Sequence, residues 1–544
     1  EDMARLIDQE EFYTRRRTHR SSNFLRSTER LFQPESDFSA RELAYLFSHL
    51  DEDDCVELCG SILSTACGLE AKDSETSGLS RLRLSRVLHT LATSIKVSED
   101  NDSVLWKKIL GKVWRRLDEA EKSWYQLRGI DLTSKTETSE LTRNLQDLAF
   151  FDLSQAIVLT RKGEDRCPQK TLRRDEIIWG RAPARLDLGG GWTDTPPYAL
   201  ERGGKVINAA VELNGQPPIH VYARRIDALE IRIASIDHGV RICLKELDEL
   251  LDYKQPTSEF ALAKAALALS GFSLDRVRWP KKVKTLKDIL RHFSGGIELT
   301  TLAAIPSGSG LGTSSIMGAV LLSVIHRMMG RELSHRELFH RVLQLEQALT
   351  TGGGWQDQIG GTIKGVKLID AAPGMVPDPE IRSVLPDICD PARNEGQTLL
   401  YYTGTRRLAK NILRNVVGNY LDRDRSALAT LQKLHQLPPL IERTLSTKDI
   451  EGFGESINLA WRLNKEIDPD SSTPAVEEIL AAFKPFMHGA KLLGAGGGGF
   501  LLVVCKSPRD AIEARRYLEK NPPNPLARFF EYDISPTGLE VTAR

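Results

Sequence analysis

One segment constrains this chain more than any other: Ile305-Pro306-Ser307-Gly308-Ser309-Gly310-Leu311-Gly312-Thr313-Ser314-Ser315. It runs straight into a helical pattern with Met317, Val320, Leu321, Val324 and Met328 on one face, ended by Gly330. A helix N-terminus carries unpaired N–H groups and the positive end of the helix dipole. Three glycines just ahead of it let the backbone wrap closely round an anion, and the five hydroxyls of Ser307–Ser315 add donors. Phosphate can be held in this way without a positive side chain. No Lys follows Gly312, so this is not a Walker loop, and Thr313 stands where a dinucleotide fingerprint needs its third glycine. The plainer alternative is a flexible turn before a helix.

Two further glycine-rich segments flank it at a distance. In Arg181-Ala-Pro-Ala-Arg185-Leu-Asp187-Leu-Gly189-Gly-Gly191-Trp192-Thr193-Asp194-Thr195-Pro-Pro-Tyr198, Arg185 and Asp187 share one face of a strand. A glycine turn then delivers Trp192 and Asp194. Convergent polar groups beside an aromatic suit a polyhydroxylated ligand; a strand–turn junction with a surface salt bridge reads equally well. The other segment, Leu493-Gly494-Ala495-Gly496-Gly497-Gly498-Gly499-Phe500, leads into the apolar strand Leu501–Cys505. Four consecutive glycines clear side chains from a place where a backbone or ligand comes close, as they would in a tight hairpin.

Carboxylates lie between these loops. Helix Ser334–Thr350 opens with Ser334 and Glu337 in capping-box spacing, and Glu346 falls on its apolar side with Phe339, Val342 and Leu349. A carboxylate there needs a partner, either a metal ion near phosphate or a buried salt bridge. The helix runs into Gly352-Gly-Gly354-Trp355-Gln356-Asp357-Gln358, which puts Asp357 on a glycine-rich loop, a fitting place for a base or an orienting group.

The rest of the chain sets bounds. Its 544 residues correspond to about three or four domains or subdomains. Lys+Arg and Asp+Glu are both 74, which excludes a whole-chain polycation. Seven scattered cysteines form no zinc set, since Cys55 and Cys59 have no second pair and no nearby His. No apolar run approaches the ~18 residues of a membrane span, and the N-terminus lacks a signal peptide's apolar core. A soluble protein of a reducing compartment is expected. Residues 1–172 read as an α-helical scaffold or connector, with Leu43, Leu46, Phe47 and Leu50, and then Trp106, Ile109, Leu110, Val113, Trp114 and Leu117, at helical spacing and Ser103 placed to cap. The basic cluster Arg15–Arg17 with His19–Arg20 reads as a solvated helix face, and Asp51–Asp54 as a surface turn. The stretch Thr160–Arg174 resembles a linker, and residues 173–544 alternate β-branched runs, glycine clusters and helices as an α+β enzyme domain does.

Taken together, the motifs are recognisable. Pro306-x-x-x-Gly310-Leu311-Gly312-Thr313-Ser314-Ser315 resembles the phosphate loop of the GHMP small-molecule kinases, with Thr313 and Ser315 in place of the usual Ser and Ala. Arg185–Asp194 and Gly494–Phe500 are similar to that family's first and third motifs, in the family's order. The wording Gly189-Gly-Gly-Trp-Thr-Asp-Thr-Pro-Pro-Tyr198, with Gly203–Ala210 and Asn214–Ile219, resembles the L-fucokinase branch, the kinase half of bifunctional fucokinase/GDP-fucose pyrophosphorylases. A nucleotidyltransferase signature of the G-x-G-T-R-L type is missing, so pyrophosphorylase activity is not expected of this chain; a covalently or non-covalently attached pyrophosphorylase domain is a possible partner.

The resemblance implies a GHMP fold of two α+β subdomains, the first with a ribosomal-protein-S5-like core, and it implies ATP, Mg²⁺ and a small sugar, with no nucleic-acid or membrane partner. It assigns phosphate binding to Pro306, Gly308, Ser309, Gly310, Leu311, Gly312, Thr313, Ser314 and Ser315. Ser314 and Glu346 match the magnesium ligands, Asp357 the catalytic aspartate and Arg185 the basic residue beside it. Asp194 matches a sugar-contacting aspartate; Gly191, Trp192, Tyr198, Gly496 and Gly497 complete the expected substrate side, with Trp192, Pro197 and Tyr198 packing a sugar methyl. Galactokinases have Glu-His where Gly191-Trp192 stand, so those contacts do not transfer. The implied reaction is ATP-dependent phosphorylation of the anomeric O1 of L-fucose, part of cytoplasmic GDP-fucose salvage. The alternatives are another anomeric sugar kinase acting on a heptose phosphate, for which Arg224 and Arg225 are candidate phosphate contacts, and a non-catalytic sugar sensor of the same fold.

Overall fold

The structure, a computed structural model, describes residues 30–33, 36–70, 77–99, 103–132, 137–158, 167–169, 171–173, 175–255, 258–306, 308–349, 352–405 and 410–544. The cluster Arg15–Arg17 with His19–Arg20, most of Thr160–Arg174, Ser307 and Thr350 lie outside the described residues. The chain divides into two compact units, one of residues up to Thr160 with Gly418–Arg425, the other of Arg161–Val417 and Ser426–Arg544.

The first unit is helical: Ala40–Ser48, Glu52–Glu70, Ser77–Glu99, Ser103–Arg116, Glu119–Gln126 and Thr138–Val158. The apolar spacings converge on one core, in which Leu43, Phe47, Trp106, Ile109, Leu110 and Val113 are buried and Leu46, Leu50 and Trp114 pack at its edge. Asp51–Asp54 is not a surface turn. Glu52, Asp53 and Asp54 form the first turn of a helix, where negative charge complements the dipole, and Glu52 pairs with Lys108 and Lys112. Ser103 is the first residue of its helix.

The second unit contains three sheets built from β1 (Ile177–Ala182), β2 (Ala184–Gly189), β3 (Gly204–Leu213), β4 (Ile219–Ile226), β5 (Ile231–Ser235), β6 (Val240–Leu244), β7 (Gly296–Ala303), β8 (Val366–Ala371), β9 (Glu380–Val384), β10 (Thr398–Tyr402), β11 (Met487–Leu492), β12 (Phe500–Cys505), β13 (Arg528–Phe530), β14 (Tyr532–Ile534) and β15 (Glu540–Ala543). The first sheet runs β15-β1-β4-β7-β5-β6, the second β14-β3-β8-β9 with β2 on β3, the third β11-β12-β10-β13. Among the described residues all pairings are antiparallel except β5 with β7. This is the expected α+β class.

Helix Thr313–Met328 follows the phosphate-loop segment as its sequence predicts, but more than one face is buried. Ile316, Ala319, Val320, Leu322, Val324 and Ile325 are all enclosed, because the helix lies on β1 and β4 with helices Ala261–Leu269 and His335–Ala348 against it. A helix apolar on most sides is a core helix, and this one fixes the loop at its N-terminus to the centre of the unit. Helix His335–Ala348 takes Ser334 as N-cap, accepting from the Glu337 N–H; Glu337 itself turns to Arg331 and Arg341, so only half of the capping box forms. All seven cysteines are free. No helix among the described residues is long and apolar enough to cross a membrane.

Candidate functional site

Strand β2 carries the first motif. Its partner on one side is β3, with Arg185 opposite Ala210 and Asp187 opposite Asn208. On the other side the phosphate loop covers the strand edge, since the Arg185 N–H donates 3.2 Å to the Leu311 carbonyl. The two loops that were far apart in sequence are thereby stitched together at the backbone. The Arg185 guanidinium is buried and grips Asp357 Oδ1, through Nε at 2.7 Å and Nη2 at 2.5 Å, while Nη1 donates to the Gly310 carbonyl at 3.0 Å. One cation therefore ties the catalytic candidate to the loop that would hold phosphate. Asp357 keeps partial solvent access, at 30% side-chain exposure, so its second oxygen can meet a ligand.

The loop has Gly308, Gly310 and Gly312 all in the left-handed region, at φ of 69°, 76° and 72°. Ser314 opens onto the cavity at the helix start, and Ser315 donates to the buried Glu346. Glu346 thus has a hydroxyl partner one residue beyond the serine that the family match assigns to the metal. Asp194 accepts from the Gln356 N–H at 3.0 Å and sits under the turn that leads to Asp357. Trp192 adopts φ 76°, strained for a residue with a Cβ, and lies on the cavity wall.

These groups line a cavity of about 400 Å³ that takes in Arg185, Gly191, Trp192, Asp194, Ser314, Ser315, Glu346, Gln356, Asp357 and the loop glycines. A second cavity, of about 460 Å³, is walled by apolar side chains including Val240, Phe260, Leu262, Met317 and Leu321, with Ser235, Asp237 and His238 also lining it. The two share Gly308, Thr313 and Ser314, so a ligand could put a planar apolar part in one and reach the other past the phosphate loop. The sequence did not reveal this second cavity, because the glycine loop and its helix supply only part of its wall and the rest comes from the β5–β6 hairpin and helix Ala261–Leu269, which carry no motif.

The structure does not bring every expected residue to the cavity. Pro306 and Leu311 line neither cavity; Leu311 serves through its carbonyl. From the third motif only Gly494 and Ala495 reach the wall; Gly497 donates to the Ser471 carbonyl at 2.6 Å, and a Cβ at Gly496 would also strike Ser471. The glycines of this segment instead allow backbones to touch: Phe500 N–H donates to Ser309 O at 3.1 Å. Tyr198 is buried with its ring 6.1 Å from that of His435 and does not line the cavity. Arg224 and Arg225 lie on β4, paired with Glu298 and Asp227, beside a separate small cavity with Asp175 and Glu176. Sequence reasoning missed Lys491, fully buried on β11 and ion-paired with Asp187, and gave Gln356 no role. The available signal was a lone lysine in the apolar run Gly489–Leu493.

Three carboxylates share this site, and two are pushed strongly toward the neutral form. Burial raises Asp194 to about 7, helped by the charge of Asp357 and opposed by the Gln356 N–H. Burial raises Glu346 to about 8, opposed by the Ser315 hydroxyl and reinforced by Asp357 and Asp194. Among the described residues no three metal-binding side chains cluster closely enough to hold an ion alone. Ser314 and Glu346 supply hard oxygen donors beside a phosphate loop, which fits a magnesium ion completed by ligand phosphates and water. A pH dependence follows. The unfolded chain releases these two protons near pH 4, whereas the fold holds them to about pH 7 and 8. The native state then binds more protons, so stability falls as pH rises from about 5 to 8. Melting temperatures in chelator should decline across that range, and magnesium with nucleotide should restore them above pH 7; a flat profile would show both groups already ionised at pH 5.

Residues 281–365 match the family model for the N-terminal domain of GHMP kinases, and residues 439–524 that for the GHMP kinase C-terminal domain. Over 400 residues, 73% of the chain, it is 42% identical to an L-fucokinase/L-fucose-1-P guanylyltransferase of Bacteroides fragilis. It is 34% identical over 344 residues to a bifunctional fucokinase/GDP-fucose pyrophosphorylase of Arabidopsis thaliana, a match covering 62% of the chain. The matches span 42% and 31% of those two proteins' lengths. A D-glycero-α-D-manno-heptose 7-phosphate kinase of Campylobacter jejuni is 25% identical over 60% of the chain and 88% of its own length.

Proposed function

Since the chain belongs to the GHMP kinase family, we propose that it is an L-fucokinase, moving the γ-phosphoryl group of ATP to the anomeric O1 of L-fucose. The observation that carries the reading is Asp357, held by Arg185 at 2.7 Å where the sugar-sized cavity meets the phosphate loop. The similarity to two fucokinase proteins supports the choice of sugar.

Phosphoryl transfer asks a protein mainly for positioning and charge neutralisation. The apolar cavity takes the adenine, and the N–H groups of Gly308–Ser315, with the dipole of helix Thr313–Met328, hold the β- and γ-phosphates. Ser314 and Glu346 are the residues that would hold magnesium, and the ion would supply charge neutralisation at the phosphates. Arg185 fixes one oxygen of Asp357, leaving the other to accept the O1 proton. Asp194 faces the ring hydroxyls. Trp192, Leu349 and Leu413 give the cavity an apolar wall for the 6-methyl group. The ATP requirement suits a cytoplasmic setting, and the product, fucose 1-phosphate, is what a nucleotidyltransferase in GDP-fucose salvage would consume.

The heptose-kinase relative favours a second reading. A substrate with its own phosphate wants additional cations, yet among the described residues Arg185 is the one basic side chain lining this cavity. Arg224 and Arg225 are spent elsewhere. The test is ADP release with Mg-ATP and L-fucose, D-arabinose, D-galactose, D-mannose or heptose 7-phosphate. Turnover should be best with L-fucose and slower with D-arabinose, which lacks the methyl. Preference for the heptose phosphate would move the specificity; sugar binding without turnover would make the protein a sensor.

A further inference from the structure

A second buried network lies behind Arg185 and Asp357. Asp187 and Lys491 form an ion pair with side-chain exposures of 4% and 1%, and the ammonium also donates to the Asp187 carbonyl at 3.1 Å. Lys491 stands on β11, immediately before the third motif, and Asp187 on β2, two residues after Arg185. The other Asp187 oxygen, Oδ1, accepts from Gln356 Nε2 at 2.9 Å. Gln356 is held at two more points: its N–H donates to Asp194 Oδ2 at 3.0 Å, and its carbonyl accepts from Asn208 Nδ2 at 3.5 Å. It is also the first residue of the short helix Gln356–Thr362 and the chain neighbour of Asp357.

We propose that Gln356 is a positioning residue for Asp357, anchored by the buried Asp187–Lys491 pair, so that all three glycine motifs bear on where that carboxylate sits. The physical ground is the cost of burying charge. An ion pair this deep must keep its geometry, because either partner left alone would face an unmet desolvation penalty. A hydrogen bond to a charged acceptor is among the stronger ones and transmits that fixed geometry to Gln356. Arg185 fixes one oxygen of the Asp357 carboxylate, and Gln356 fixes the backbone at the residue before it. Near-attack alignment is sensitive to displacements of an ångström, so loosening one anchor should cost turnover more than binding.

The proposal rests on the kinase reading, and its test separates the two. In the full chain, Gln356→Met keeps side-chain length and removes the bond to Asp187. Asp187→Leu with Lys491→Met removes both buried charges and the same acceptor, a replacement that protein interiors often tolerate. Each variant should lose about tenfold in kcat, with KM for sugar and ATP within about twofold and melting temperature within a few degrees. Hydrogen exchange of the 356–362 amides should quicken about tenfold in both, while helix Arg425–Thr447 is unaffected. A raised sugar KM with unchanged kcat would make Gln356 a sugar contact and overturn the proposal, as would unchanged exchange at 356–362 or exchange that quickens throughout. Absence of turnover in the wild-type protein would remove the kinase reading, while local quickening of exchange would still establish the coupling.

Discussion

Asp357→Ala should lower kcat by about 10²–10⁴-fold while sugar and nucleotide still bind, because general-base catalysis contributes on that scale. The variant removes the proposed proton acceptor and leaves the glycine loop, the apolar cavity and Asp194 in place. It also strips the buried Arg185 of its carboxylate, leaving the guanidinium its bond to the Gly310 carbonyl. Asp357→Asn therefore belongs beside it: Asn keeps an acceptor for Arg185 but cannot take a proton. If both variants lose kcat alike, proton transfer is the missing function. If Asn retains most of the activity, Asp357 orients an already acidic anomeric hydroxyl and does not deprotonate it. Sugar affinity, read by calorimetry, should be nearly unchanged in either, and near-normal turnover of Asp357→Ala would sink the base assignment.

The second large effect belongs to Gly310→Ala. Gly310 has φ 76°, and an added Cβ would collide with the Leu493 carbonyl, since the loop and the third motif touch there backbone to backbone. Two penalties are combined: roughly 1–2 kcal/mol for a left-handed alanine, and a clash that no side-chain rotation relieves. Gly215→Ala isolates the first. Gly215 also has φ 76°, but open space surrounds it, so only the conformational term applies. Gly215→Ala should therefore lose about 1 kcal/mol of stability with activity per folded molecule unchanged. Gly310→Ala should lose more stability and raise KM for ATP at least about tenfold, as the loop is driven off its support and Arg185 loses its carbonyl partner. Equal behaviour of the two variants in melting and kinetics would show that the close approach of the loops carries no functional consequence.

The elements that were readable beforehand are those set by short-range physics. Helix Thr313–Met328, strand β12 and the Ser334 cap are written in apolar spacing and cap chemistry within a few residues of each other. The inward position of Glu346 followed from its spacing to Phe339 and Val342. What failed locally failed for a definite reason. Asp51–Asp54 looked like a turn because charge runs usually face solvent; Glu52–Asp54 opens a helix because the dipole and two lysines from another helix favour charge there. The run after Thr313 looked one-sided, yet neighbours from three directions bury most of it. Tyr198, Gly496 and Gly497 were expected on the substrate side from the resemblance of their motifs, and packing sets them against His435 and Ser471.

By itself the sequence determined the α+β class, the order of the three glycine motifs and the helix that follows the second of them, and it nominated Arg185, Asp194, Glu346 and Asp357 as candidate chemistry-bearing side chains. Only the tertiary structure decided their partners. Arg185 meets Asp357 across 172 residues and Lys491 meets Asp187 across 304. No local preference encodes such pairings. They are selected when strands and loops close on one another and each buried charge must find a counter-charge or forgo burial, and that requirement comes into force once water has been excluded.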